Sequence, residues 1–506
     1  MLSWATGGEF ELGIYATLPF RSCPAIRLLP CEVPSHLSRN EPGYSGMSTR
    51  EQAAESARIE SRDDLVRWIA AGEKPKSEWR IGTEHEKFVF RTVSLAPVPY
   101  GGPDGIRALM DELIARYRWV AIKEDDKVIA LKRPDGEKGG TISLEPGGQF
   151  ELSGAPLDNV HETDAETDEH LREVLDVGED LAIGFLGVGF SPKWRLDEIP
   201  QMPKKRYKVM TRYMPSVGSR GLDMMYRTAT VQVNLDFGSE ADMVKKLRVS
   251  LALQPIATAL FAASPFMEGR PNGFQSLRSE IWRDTDRQRT GMLPFAFEDG
   301  MGYERYVEYA LDVPMYFVYR NGNYIDVAGS SFRDFMAGRL RGFEGEFPTI
   351  DDWADHLTTL FPEVRLKRFL EMRGADGGRW GTITALPAFW AGILYDGAAL
   401  DQAWQMVRDW TAEERGKLRT DVPKLALATP FRSTSVRDLA RQALHISRLG
   451  LKNRRRVNAM SEDETIYLAP LERIAGEGRT VSDDLLQRYA GPWRQNIDHI
   501  FEEFAF

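Results

Sequence analysis

Carboxylate and carboxamide side chains recur on one face of four separate apolar–polar alternations, a layout able to hold divalent cations against phosphate. From Val364 to Arg373, Val364, Leu366, Leu370 and Met372 share one parity while Arg365, Lys367, Glu371 and Arg373 share the other. That is the pattern of a strand with one packed face and one reactive face. Ile142, Leu144, Phe150 and Leu152 alternate likewise against Glu145, Gln149 and Glu151, and Val231, Val233, Leu235 and Phe237 against Gln232, Asn234 and Asp236. Glu84 and Glu86 share a parity in a fourth alternation. Glu84, Glu86, Glu145, Glu151 and Glu371, with Gln232 as a neutral ligand, offer oxygen and no sulfur, a donor set suited to magnesium. Any one of these glutamates alone reads more simply as part of a solvated strand face. Their joint occurrence, with Pro146-Gly-Gly148 allowing backbone to approach a ligand closely, favours a metal site.

Cationic residues complement this set. The segment Leu277–Phe295 carries Arg278, Arg283, Arg287 and Arg289 without a helical apolar period. Guanidinium groups suit bidentate recognition of carboxylate and phosphate, although a solvated charged loop would look the same. His85 points away from Glu84 and Glu86 in a regular strand and is expected to be structural. The run Lys452-Asn-Arg-Arg-Arg456 reads as solvated surface, since one short basic run on an acidic chain is a weak sign of a polyanion partner.

These strands need a scaffold, and the composition supplies one. The 506 residues are 42% hydrophobic, enough for an extensive core. A net charge of −10 argues against nucleic acid or anionic membrane as primary partner and favours small-molecule chemistry. No run of about eighteen apolar residues is present. Cys23 and Cys31 are the only cysteines, so the remaining chain has neither a disulfide framework nor a Cys-ligated zinc site. That usage fits a reducing cytosol, and a cytoplasmic protein is expected. Residues 1–46 are punctuated by Gly and Pro without periodicity and are expected to be a disordered extension, with 47–506 as the catalytic domain. Glu9, Glu11, Glu32 and Glu41 weaken a transit-peptide reading of that extension.

Helix signals lie between the strands. Pro103–Tyr117 places Ile106, Leu109, Met110, Leu113 and Ile114 on one face. Ser239-Glu-Ala-Asp242 resembles an N-cap before a long apolar helix, and further helices are expected near 161–182, 351–361, 398–417 and 435–450. The polar-faced strands are far apart in the chain, so the sheet forms by long-range pairing, which predicts α+β rather than a doubly wound fold. No Gly-Lys-Ser/Thr phosphate loop occurs, and Gly184, Gly187 and Gly189 lack a dinucleotide-binding context.

Five phrases in order carry a family resemblance: Arg80-Ile-Gly-Thr-Glu-His-Glu-Lys87, Ser143-Leu-Glu-Pro-Gly-Gly-Gln-Phe-Glu-Leu-Ser-Gly154, Thr230-Val-Gln-Val-Asn-Leu-Asp-Phe237, the arginine segment 277–295, and Phe369-Leu-Glu-Met-Arg-Gly-Ala-Asp376. From about residue 50 onward the chain resembles the plant and proteobacterial type of glutamate–cysteine ligase. The resemblance implies a glutamine-synthetase-like fold, an antiparallel sheet forming a bowl for Mg2+, ATP and glutamate, and the first step of glutathione synthesis. It implies small-molecule substrates (ATP, L-glutamate and L-cysteine), and a monomer or homodimer is expected. It assigns Glu84, Glu86, Glu145, Glu151 and Glu371 as metal ligands, with Gln232 standing where a more distant bacterial type has histidine. It assigns Arg278 to glutamate, with Arg373, Arg227, Arg287 and Arg289 as further candidates for phosphate or carboxylate and Asn234 for the nucleotide. Plant members are redox-regulated through disulfides, whereas this chain has no cysteine after Cys31. A related ligase with another amine acceptor, a metal-dependent phosphohydrolase and a catalytically inactive binding protein are the competing readings.

Overall fold

Alternating side chains drive the central element, because a two-faced strand is stable only when its apolar face is covered. In the computed structural model, which describes residues 56–137 and 139–506, that element is a nine-stranded sheet. Its strands are β1 (Ile81–Arg91), β2 (Val120–Glu124), β3 (Lys127–Lys132), β4 (Thr141–Leu144), β5 (Phe150–Ser153), β6 (Ile183–Leu186), β7 (Thr230–Leu235), β8 (Val364–Leu366) and β9 (Leu370–Asp376). The order is β8-β9-β7-β1-β5-β4-β3-β2, with β6 paired to the far end of β1. Every pairing within it is antiparallel. The expected α+β class is therefore observed. The expected extension 1–46 lies outside the described residues.

Two alternations that read as single strands are hairpins. Arg365 pairs with Glu371 across β8–β9, and Ser143 with Glu151 across β4–β5. Each register joins residues an even number of positions apart, so side-chain parity continues through the turn. The sequence pattern cannot distinguish the two cases.

One face of the sheet is apolar. Val231, Val233, Leu235, Val364, Leu366, Leu370 and Met372 are all buried in one cluster with helices Glu240–Leu260 and Ala385–Leu394. The first of these helices starts at Ser239, whose hydroxyl accepts from the Asp242 N–H, as its sequence predicts. Helix Ala385–Leu394 packs against Val436–Arg454 so closely that a Cβ on Gly450 would lie 1.8 Å from the Gly392 carbonyl oxygen. Helix Val160–Leu181 covers β1 further along, where His85 faces His170 with ring centroids 5.5 Å apart. The helix expected over 398–417 is two, Gly397–Val407 and Ala412–Leu425, because Thr411 caps the second with a reciprocal Glu414 bond. Among the described residues no single helix is long and apolar enough to cross a membrane.

Candidate active site

The opposite face of the sheet collects the polar residues. Strand register sets Glu84 opposite Gln232 and Ser153, Glu86 opposite Glu151, and Glu371 opposite Asn234. Glu86, Glu145 and Glu151 converge, with an oxygen of each within 4.8 Å of the others. Glu145 reaches this position from the β4–β5 turn, closed by its N–H donating to the Gln149 carbonyl at 3.0 Å and the Gly148 N–H donating back to its own carbonyl at 2.9 Å. Gly148 has φ +84°, a left-handed value that glycine adopts without strain.

Supporting hydroxyls fix the carboxylates. Glu151 accepts from Ser153 Oγ at 2.6 Å and Ser143 Oγ at 3.2 Å. Tyr207 Oη lies 3.0 Å from Glu145 Oε1 and 2.9 Å from the Leu144 carbonyl. Asn234 donates to Glu84 Oε1 at 2.9 Å from a buried position, so it orients Glu84 rather than lining the cleft.

The cluster is electrostatically unsatisfied. Burial first, then repulsion from Glu371 and Glu151, pushes the Glu84 carboxyl up to about 7. Burial and the neighbouring Glu145 and Glu151 hold Glu86 well above the usual carboxylate range, and burial with Glu145 raises Glu151. Packed acids of this kind favour a cation, and the donors are all hard oxygens, so the residues present fit magnesium.

Glu371 has a different setting. It is fully buried, and burial alone would raise its carboxyl, but Arg365, Lys367 and Arg373 hold it well below the usual range. Arg365 grips both its oxygens at 2.7 and 3.0 Å, Lys367 Nζ is 2.8 Å away, and Arg373 pairs with it as well. Arg373 Nη1 also donates to Gln232 Oε1 at 2.6 Å, so a guanidinium nitrogen bridges Gln232 and Glu371.

The cleft over these groups is about 120 Å³ and is walled by Arg206, Tyr207, Met210, Thr358, Phe361 and Arg373. Beside it Arg278 is 2% exposed, donates from Nη2 to the Arg373 carbonyl at 2.9 Å, and has no partner for Nε among the described residues. Burial lowers its pKa, against attraction from Asp376, Glu86 and Glu363.

Three expected contacts are corrected. Arg227 is spent on Asp223, Glu268 and the Trp194 carbonyl. Arg289 is fully buried with Asp286 at 2.6 Å and with the Thr359 and Pro314 carbonyls. Arg287 is exposed. None of the three lines the cleft. Asp223 and Asp286 stand four and three residues before Arg227 and Arg289, a spacing the sequence shows, but whether these local pairs form and are buried is decided by the fold.

Several site residues escaped sequence reasoning. Arg206, Tyr207 and buried Lys204 lie in Pro203-Lys-Lys-Arg-Tyr207, which looks like a solvated basic run, and Trp282, Thr358 and Phe361 carry no local signal at all.

A family model described as glutamate–cysteine ligase family 2 matches residues 80–503. The chain belongs to this family. It is 55% identical over 456 residues to the chloroplastic glutamate–cysteine ligase B of Oryza sativa subsp. japonica, covering 90% of this chain and 89% of that protein. The chloroplastic glutamate–cysteine ligase of Brassica juncea is 52% identical over 476 residues, with 93% and 90% covered. The fold is shared with the crystal structure of Francisella tularensis glutamate–cysteine ligase in complex with AMP, at a TM-score of 0.51 and 11% identity, covering 85% and 88% of the two chains. The plant relatives overturn the expected cytoplasmic placement, because their names point to the plastid. Cysteine usage by itself does not name a compartment.

Proposed function

We propose that this chain joins the γ-carboxylate of L-glutamate to the amine of L-cysteine at the expense of ATP, giving γ-glutamylcysteine, ADP and phosphate, the first step of glutathione synthesis. The observation that carries this reading is the acidic cluster Glu86, Glu145 and Glu151 beside Arg278 and Arg373 in one cleft. Two anionic reactants, a carboxylate and a triphosphate, must be brought together there, and that demands both a bound cation and fixed guanidinium groups.

Each residue then has a part. Arg278, with its unpartnered Nε, receives a carboxylate of glutamate. Glu86, Glu145 and Glu151 hold magnesium, and Glu84, Gln232 and Glu371 form an adjoining donor set where the Arg373 guanidinium now sits. Magnesium, when bound, neutralises phosphate oxygens and stabilises charge on the transferring group. Arg373 and Arg206 supply positive charge at the cleft wall for phosphate. Tyr207, Ser143 and Ser153 keep the carboxylates in place, the outer support on which such sites depend.

In the first step a γ-carboxylate oxygen attacks the γ-phosphorus and the bond to the ADP oxygen breaks. In the second the cysteine amine attacks the acyl carbon of γ-glutamyl phosphate, the carbon–oxygen bond to phosphate breaks, and the proton lost from nitrogen leaves with the phosphate. Alignment in the cleft supplies several kcal/mol by removing translational freedom. Mass spectrometry of the product from ATP, glutamate, cysteine and magnesium tests the reading. A γ-glutamylcysteine product is expected. ADP release that is equally fast with other amines would identify a different ligase, and glutamate-independent hydrolysis of phosphate esters would identify a phosphohydrolase.

A further inference from the structure

We propose that a second cavity, which shares no lining residue with the reaction cleft, binds a small molecule carrying a phosphate next to an aromatic ring. The cavity measures about 600 Å³, within the range of small-molecule sites of roughly 300–1,000 Å³. It lies between the Gly377–Thr382 segment after β9, helix Ala469–Glu477, the start of helix Val481–Ala490 and the segment Phe504–Phe506.

Its charge is the first reason. Four arginines line it. Arg479 is paired with Asp484 at 2.7 Å, and Arg488 is paired with Glu503. Arg379 and Arg473 have no ion-pair partner among the described residues, although Glu477 also lines the cavity one helical turn from Arg473. Partial enclosure and the nearby Arg488 lower the Arg379 pKa, although the side chain stays open to solvent. Two such guanidinium groups at one concave surface suit a doubly charged oxyanion better than a single carboxylate.

The walls are the second reason. Trp380, Phe504 and Phe506 are among the lining residues, and Arg379 stacks over the Phe504 ring at 4.7 Å with Arg488 at 5.6 Å. An aromatic ligand body would bury against these rings while its phosphate meets the arginines. The floor is tightly packed, since a Cβ on Gly187 would fall 2.2 Å from the Gly378 carbonyl oxygen. The route to the reaction cleft is short. Gly377 follows Asp376, which accepts from Ser264 Oγ, Ser276 Oγ and the Ala263 N–H and attracts Arg278.

The test uses the full chain without magnesium, titrated by calorimetry with phenyl phosphate and with inorganic phosphate. Phenyl phosphate is expected to bind more tightly, and an Arg379→Ala, Arg473→Ala double variant to lose at least about tenfold in affinity. Ligase turnover and thermal midpoint are expected to stay at wild-type values, since both side chains are exposed and outside the cleft. On the unmodified chain, phenylglyoxal labelling read by mass spectrometry is expected to show Arg379 and Arg473 protected by phenyl phosphate. This arm decides the matter even if the double variant folds poorly. Unchanged affinity in a folded double variant, or protection confined to Arg278 and Arg373, would overturn the proposal.

Discussion

Glu84→Gln is expected to stabilise the metal-free protein while impairing the reaction. Glu84 is 8% exposed, and its carboxyl is raised from 4.5 to about 7 by burial and by repulsion from Glu371 and Glu151. A folded-state value above the unfolded one contributes stability fully at low pH and loses it as pH rises through the window from 4.5 to 7. At pH 8 the ionised group therefore costs about 3 kcal/mol, and at pH 5.5 about 1 kcal/mol, taking ~1.4 kcal/mol per pKa unit. Glutamine removes the charge at constant shape. Its amide can also donate to Asn234 Oδ1, which has no partner among the described residues. Denaturant unfolding in EDTA should therefore show Glu84→Gln more stable than wild type at pH 8, by about 2 kcal/mol more than at pH 5.5. With magnesium the order should reverse, because only the wild type gains fully from cation binding, and turnover should fall by about 10²-fold. A variant that is less stable at pH 8 in EDTA would show that the acidic face is already balanced without a cation, and the metal-site argument would fail with it.

Further outcomes follow from other parts of the fold. Arg365→Met leaves Glu371 buried with two of its three cations and is expected to cost about 3–5 kcal/mol, measured by denaturant unfolding, with little dependence on added magnesium. His356 is buried, its Nε2 lies 2.8 Å from the Ala310 carbonyl, and burial pulls its pKa down to about 4. The imidazole must stay neutral in the fold, so its contribution falls as pH drops below 6.5. The stability gap between wild type and His356→Asn should accordingly shrink by about 2 kcal/mol between pH 7.5 and pH 5, and a constant gap would refute the assignment. Gly450→Ala should separate helices Ala385–Leu394 and Val436–Arg454 and lower stability by about 1–3 kcal/mol, whereas an unchanged unfolding midpoint would mean that the helices slide apart freely. Activity should not respond to dithiothreitol or mild oxidant, because the only two thiols are Cys23 and Cys31. A reversible several-fold change that disappears in a Cys23→Ser, Cys31→Ser variant would disprove this.

Side-chain alternation alone determined which residues share a face. Glu84, Glu86, Glu145, Glu151, Gln232 and Glu371 are on the polar side, and Val231, Leu370 and Met372 on the packed side, because strand periodicity of two survives even where a stretch turns out to be a hairpin. Five long motifs in order also sufficed for the family. Partner choice was decided only by the tertiary structure. Arg227 and Arg289 are phosphate or carboxylate candidates in sequence, yet Asp223 and Asp286, four and three residues away, pair with them, and distant parts of the chain add Glu268 and the Trp194, Thr359 and Pro314 carbonyls, which use up their donors. Arg278 belongs to the same class of residue but keeps an unpartnered Nε beside the cleft. The division within the acids has the same origin. Glu86, Glu145 and Glu151 converge, and the attraction of Arg278 and Arg373 for Glu86 and of Lys204 for Glu151 does not outweigh burial and mutual repulsion, while Glu371 receives Arg365 from across its hairpin and Lys367 and Arg373 from its own face. Sequence spacing states what a side chain can bind, but whether that capacity is left open depends on what the rest of the chain packs against it.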